Sequence, residues 1–167
     1  SLGMQSTAPH VLALLDRRHT PGRAAEAARE ARAAGFEHVN LDLIYATPGE
    51  TDDDLRRSAD AVLDAGVDHV SAYALIVEDG TALARRIRSG EVPQPDDDLQ
   101  ADMYDLADER LEAAGYRWYE VSNWSRVAAQ RSRHNLAYWT GADSWAVGPC
   151  ALSPLLVLRL STLHPPA

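Results

Sequence analysis

Apolar and polar positions along the chain repeat with a period near two in some stretches and near 3.6 in others. The switches between the two mark out the elements. Residues 1–6 alternate briefly and read as the end of a strand. Thr20 and Pro21 supply an N-cap and a first-turn proline for a helix with the small apolar face Ala24, Ala27, Ala28, Ala31 and Ala34, stopped by Gly35. Residues 39–45 read as a strand that runs into a Thr47-Pro48-Gly49 turn. Thr51 caps the next helix, and Asp52, Asp53 and Asp54 lie at the positive end of its dipole. Leu55, Ala59 and Val62 are its buried stripe, and Gly66 ends it. Residues 69–77 form a third strand and 81–89 a short helix closed by Gly90. The longest helix spans 96–114, with Leu99, Met103, Leu106 and Leu111 inward, and 116–122 is the last strand. This βα rhythm predicts a parallel α/β sheet or barrel.

Two strands carry polar residues where an ordinary core strand would not. A period of two sets Val39, Leu41, Leu43 and Tyr45 on one face of their strand and Asn40 and Asp42 on the other. Helices cover the outside of a barrel strand, so the apolar face is external and Asp42 internal. Gln5 shares a face with Gly3 near the C-terminal end of its strand, the end where α/β barrels hold ligands. Asp42 either contacts a polar ligand or satisfies neighbouring backbone amides. Glu120 and Asn123 end the last strand and line the same cavity in this reading.

Composition narrows the class. The chain has 167 residues, is 46% hydrophobic and 25% charged, and carries a net charge of −9, which fits one soluble domain. Its basic residues, all arginine, are scattered without a stripe, which argues against nucleic acid and anionic membrane surfaces as partners. Cys150 is the only cysteine, so no disulfide framework or CxxC metal knuckle exists, and a cytoplasmic setting is expected. His10, His19, His38, His69 and His164 have no paired-ligand spacing and read as surface or loop histidines. The opening at Ser1, inside a strand-like stretch, reads as a cut through a longer chain.

The densest chemistry is the HNxxYW box formed by His134, Asn135, Tyr138 and Trp139. A neutral imidazole is a ready iron ligand, and flat rings nearby offer a stacking face to a tetrapyrrole. Arg131 and Arg133 precede it and suit anionic propionates. The competing reading has His134 and Asn135 capping a helix while Tyr138 and Trp139 bury their rings.

Residues 1–6, 17–19, 40–45 with Pro48 and Gly49, 71–75 and 119–123 follow in order a known pattern. Over residues 1–151 the chain resembles the oxygen-independent coproporphyrinogen oxidase-like branch of the radical SAM family. The box at His134 looks like that of its heme-chaperone (HemW-type) subgroup. The resemblance implies a partial TIM-like (β/α) barrel of parallel strands that holds a [4Fe–4S] cluster and S-adenosylmethionine at its mouth. Gln5, Arg17 and Asp42 match positions that contact S-adenosylmethionine. His134 matches the heme attachment point, with Asn135, Tyr138 and Trp139 completing the heme site and His134 as the iron ligand. The implied role is to bind heme or a porphyrin and hand it to an acceptor protein.

Departures from the pattern qualify that role. The CxxxCxxC loop and the glycine-rich S-adenosylmethionine loop have no counterpart here, and Cys150 alone cannot hold a cluster. Turnover is therefore not expected of this chain by itself. Ala46 stands where the family has glycine, and so does Cys150. The expected organisation is 1–125 as part of the barrel, 126–151 as the start of the region bearing the box, and 152–167 as a divergent tail. Two rivals remain. One is coproporphyrinogen III oxidase (dehydrogenase) of porphyrin biosynthesis, against which the box argues. The other is a ligand-free folded remnant whose open sheet edge invites self-association.

Overall fold

The computed structural model describes residues 1–18, 20–143, 152–155 and 158–161. His19, Cys150 and His164 lie outside the described residues, as do residues 156–157 and 162–167 of the tail. By contacts the chain divides into two compact units, Ser1–Gln130 and Arg131–Ala167.

The parallel part of the first unit is built by β1 (Leu2–Gln5), β2 (Asn40–Tyr45) and β3 (His69–Ala74). Leu41, Leu43 and Tyr45 are buried on one face of β2, as its alternation predicts, and Met4, Val70 and Ala72 join them in one core. Against this face pack α2 (Arg23–Ala33), α3 (Asp52–Asp64) and α5 (Asp97–Ala113). Val62, Met103 and Leu111 are fully buried there, so the helices cover the apolar side and leave the Asn40–Asp42 side open. Thr51 caps α3 through a reciprocal box: its hydroxyl accepts from the Asp54 amide and the Asp54 carboxylate accepts from the Thr51 amide. Thr81 caps α4 (Ala82–Arg88), and Asp96 caps α5 with one carboxylate oxygen on two amides.

The structure departs from the expected pattern in four places. Thr20 is not a cap. Pro21 and Gly22 form a tight turn closed by Arg23 N–H donating to Thr20 C=O (3.0 Å), and Gly22, at φ 88°, is itself the N-cap of α2. A short helix, α1 (Pro9–Leu14), follows β1, with Pro9 in its first turn. The third strand stops at Ala74 instead of reaching residue 77. The stretch expected as one parallel strand over 116–122 is instead the hairpin β4 (Arg117–Glu120) and β5 (Asn123–Ser125). It adds to β3 antiparallel, in the order β1-β2-β3-β5-β4. Its turn, Val121 and Ser122, has none of the glycine or asparagine that announces a hairpin, so the alternation reads straight through it. Trp124 locks the hairpin down: it is fully buried and its indole N–H donates to Asp108 at 2.6 Å. Among the described residues β1 pairs only with β2, leaving its other edge open.

In the second unit Ser132 caps α6 (Arg133–Trp139). β6 (Leu152–Leu155) and β7 (Leu158–Ser161) form an antiparallel pair.

Candidate functional site

Register places the polar side chains of the open sheet face in rows. Asn40 stands beside His69, Asp42 beside Ser71, and Gly3 beside Asp42 on the other side. Ser71 in turn faces Asn123, which pairs with Glu120. The hydrogen bonds run along these rows. Asn40 Nδ2 donates to Asp42 Oδ1 (2.6 Å), with Ser1 Oγ (2.8 Å) and Ser71 Oγ (3.1 Å) also in reach. Ser1 Oγ donates to Asp42, 2.8 Å from each carboxylate oxygen. Ser71 Oγ donates to Asn123 Oδ1 (2.8 Å), and Asn123 Nδ2 donates to Glu120.

Two anions set the direction of this ladder. An ionised carboxylate only accepts. Asp42 therefore fixes which end of the Asn40 amide faces it, and Glu120 fixes Asn123 in the same way. Ser71, between the two amides, accepts from the first and donates to the second. Among the described residues Asp42 accepts from the side chains of Ser1 and Asn40 and from no backbone amide.

His69 was expected at the surface. It is instead 6% exposed on β3, between Asn40 Oδ1 at 2.7 Å and Tyr119 OH at 2.6 Å. Burial lowers its pKa below the ordinary 6.5 against the opposing pull of Asp68, Asp42 and Glu120. The signal for it was available: polar residues at 69 and 71 repeat the alternation of 40 and 42 on the neighbouring strand.

Toward the C-terminal end of the parallel strands the same face becomes apolar. A cleft of about 320 Å³ is lined by Gln5, Asp42, Ile44, Tyr73, Ala74, Leu75 and Ile76. That size and mixed lining suit a small molecule with a few polar groups. Gln5 is buried with φ 65°, at a register shift in β1. Its amide folds back on Gly3, where a Cβ would lie 2.7 Å from Gln5 Nε2, so glycine gives that amide its room. Gln5 and Asp42 are therefore brought together. Arg17 is not: it is exposed beyond α1 and does not line the cleft.

Next to the cleft, the turn after β2 holds Ala46 at φ 57°, the conformation glycine would take without strain. Its amide points at Met103 Sδ, 3.2 Å away. Glu50, 6% exposed, closes the turn by accepting from Thr47 N–H (3.1 Å), and burial raises its pKa to about 7. Tyr45, at the end of β2, is pushed up to about 12, chiefly by burial.

The box residues of α6 sit differently. Ser132 Oγ, not His134 or Asn135, caps the helix by accepting from Asn135 N–H. His134 is exposed, and Tyr138 and Trp139 are 65% and 67% exposed, so the alternative in which the rings are buried does not hold. The His134 and Tyr138 rings meet edge to face, with centroids 4.9 Å apart. Among the described residues no cluster of three or more His, Cys, Asp or Glu side chains could hold a metal ion. No helix there is long and apolar enough to cross a membrane.

No family model matches the chain. It is 68% identical over 95% of its length to "Heme chaperone HemW" of Mycobacterium tuberculosis, and 34% identical over 99% to the protein of that name from Lactococcus lactis. The first alignment covers 159 residues and so reaches past residue 151 into the stretch read as a divergent tail. The chain spans about two fifths of these relatives, 40% and 43% of their lengths. In fold it is similar to the radical SAM coproporphyrinogen III oxidase (HemN) of Escherichia coli, with TM-score 0.72 and 21% identity over 92% of this chain and 38% of that one. That likeness supports the partial TIM-like barrel for the described sheet and helices.

Proposed function

Since the chain belongs to the radical SAM family, on its HemW-like branch, we propose that it serves heme delivery: it takes up heme at α6 and passes it to an acceptor protein in the cytoplasm. His134 is the iron ligand, Tyr138 and Trp139 flank the macrocycle, and Asn135 completes the site. The observation that carries this reading is the solvent exposure of all three rings on one short helix, beside the 68% identity to a heme chaperone. Apolar ring area left in water is what a flat ligand would cover. The weaker likeness to the oxidase, 21%, bears on fold alone, and so the chaperone reading stands ahead of the oxidase one.

The second half of the proposal is S-adenosylmethionine in the cleft. The donor set fits: a carboxylate accepts from ribose hydroxyls or an ammonium, and an amide both donates and accepts. Asp42 and Gln5 supply these, and Arg17 belongs to the set only if its chain segment moves toward the cleft. Bound S-adenosylmethionine supplies radical chemistry when a [4Fe–4S] cluster reduces it. One cysteine in 167 residues cannot hold such a cluster, so this chain's own part is binding and orientation.

Titration with hemin tests the main claim. The wild-type chain should give a saturable shift of the Soret band, and His134→Ala should abolish it. The same weak, non-saturating spectrum from both proteins would refute heme binding at α6.

A further inference from the structure

The polarity fixed by Asp42 propagates one residue further than the cleft. Asn40 must turn its Nδ2 toward the carboxylate, because the opposite orientation would set Oδ1 against an acceptor-only group at 2.6 Å. Oδ1 then faces His69 Nδ1 at 2.7 Å and can only accept, so the imidazole carries its proton on Nδ1. Nε2 is left as a bare acceptor, and Tyr119 OH, 2.6 Å away, is its donor. A neighbouring edge-to-face arrangement of the His69 and Tyr119 rings, centroids 5.7 Å apart, suits that bond.

We propose that His69 is a positioning residue: locked as the neutral Nδ1–H tautomer between Tyr119 and Asn40, it holds the Asn40 amide in the orientation that presents Asp42 to the cleft. This rests on the cleft as a ligand site, and deepens it by naming what orients its carboxylate. No side chain of the set acts alone. Without the imidazole, the Asn40 amide loses the partner at its oxygen end and is held from its nitrogen end alone, by Asp42, Ser1 and Ser71. The donor to Asp42 is then less sharply aimed.

The charged groups around the imidazole are acidic: Asp68 precedes it in sequence, Asp42 lies across on β2, and Glu120 lies on β4 beside Tyr119. Burial outweighs the three carboxylates, so the ring stays neutral to a pH below its ordinary 6.5. A neutral ring is what the tautomer lock requires.

Long-range ¹H–¹⁵N correlation spectra of the whole chain read the tautomer directly. The expected pattern for His69 is a protonated Nδ1 and an unprotonated Nε2 at pH 7. A protonated Nε2, or an imidazolium at that pH, overturns the proposal. Three variants read the positioning. His69→Asn keeps an amide donor near the Nδ1 position, His69→Gln places its amide nearer the Nε2 position, and His69→Phe keeps only the ring. Each is first matched to wild type by its backbone amide spectrum. The protected, well-separated side-chain NH₂ resonances of Asn40 should persist in His69→Asn, and should collapse toward the free-amide position in His69→Phe and His69→Gln. Persistence in His69→Phe overturns the proposal whatever the ligand does.

S-adenosylmethionine binding by calorimetry separates the two levels. If wild type binds, His69→Phe should weaken it by on the order of tenfold, the equivalent of one oriented hydrogen bond, and His69→Asn should restore it. Wild-type binding that His69→Phe leaves unchanged defeats the positioning role and leaves the cleft reading intact. If wild type does not bind while the tautomer and the Asn40 resonances are as expected, the cleft reading fails and the orienting role of His69 toward Asn40 stands.

Discussion

On the open face of the sheet, the polar side chains from Asn40 to Glu120 are held by one another, whereas on α6 the rings of His134, Tyr138 and Trp139 stand largely in solvent. The first region is organised before any ligand arrives. Its groups are aimed, and a ligand that meets them loses little to reorganisation. The second is available instead of organised, and gains from covering exposed ring area. A carrier that must release its cargo is served by a site of the second kind. A cofactor held for chemistry is served by one of the first. The two regions should therefore answer differently to substitution, one mainly in stability and the other mainly in binding.

The sharpest separation comes from the core under the ladder. Trp124 is fully buried, meets the Tyr104 ring at 5.8 Å, and donates to Asp108. Trp124→Ala should cost about 3–5 kcal/mol through the cavity and the stranded carboxylate. Denaturant unfolding would show it as a lower midpoint at unchanged slope. A loss near zero would mean that the hairpin does not hold the face in place.

Next is the buried acid in the turn beside the cleft. Glu50 keeps its proton up to about pH 7 when folded but ionises near 4.5 when unfolded. Between these values the folded chain binds more protons, so stability falls as pH rises from about 4.5 to 7 and stays at the lower level above that. The difference corresponds to about 3 kcal/mol. Glu50→Gln should flatten that slope and make the chain more stable at pH 8, as thermal unfolding at several pH values would read. An unchanged slope would show that the turn admits water around the carboxylate.

Asn40→Ala comes third, at about 1–3 kcal/mol, because it takes a donor from Asp42 and Ser71 and an acceptor from His69 at once. Urea unfolding of the single variant checks it, and a double-mutant cycle with His69→Phe should show coupling between the two. Strict additivity would break the picture of a connected face.

How much of this the residues announce by themselves depends on whether the cause is local. The buried stripe of α3, its Thr51 cap and the alternation of β2 follow from positions a few residues apart, and they were legible. So were Gln5 and Asp42 as neighbours, since both sit on strands whose polar faces must converge. The hairpin after residue 120 was not, because its turn lacks turn residues and its pairing is decided by β3 and by the burial of Trp124. His69 was overlooked as a lone histidine; its partners Asn40 and Tyr119 are 29 and 50 positions away. Tautomers and amide orientations are properties of such long-range sets, and no local pattern encodes them.

Ala46→Gly should act in the other direction and more weakly. At φ 57° an alanine is strained by roughly 1–2 kcal/mol, and glycine relieves that while adding up to about 1 kcal/mol of unfolded-state entropy. The net gain should be no more than about 1 kcal/mol, visible as a small rise in Tm. A loss of stability would mean that the methyl group, in a residue only 1% exposed, packs well enough to outweigh the strain.

The smallest stability effect belongs to α6, and it tests the other half of the contrast. His134 is exposed, no hydrogen bond on the helix cap runs through its side chain, and its only ring neighbour described is Tyr138, itself 65% exposed. Losing an edge-to-face contact in solvent removes little that folding had gained. His134→Ala should therefore stay within about 0.5 kcal/mol of wild type in urea unfolding. Set against its expected loss of the Soret response, this separates recruitment from architecture in a single variant. A stability loss above about 1.5 kcal/mol would place His134 among the groups that hold the helix together, and the absence of a Soret shift in the variant would then say nothing specific about iron.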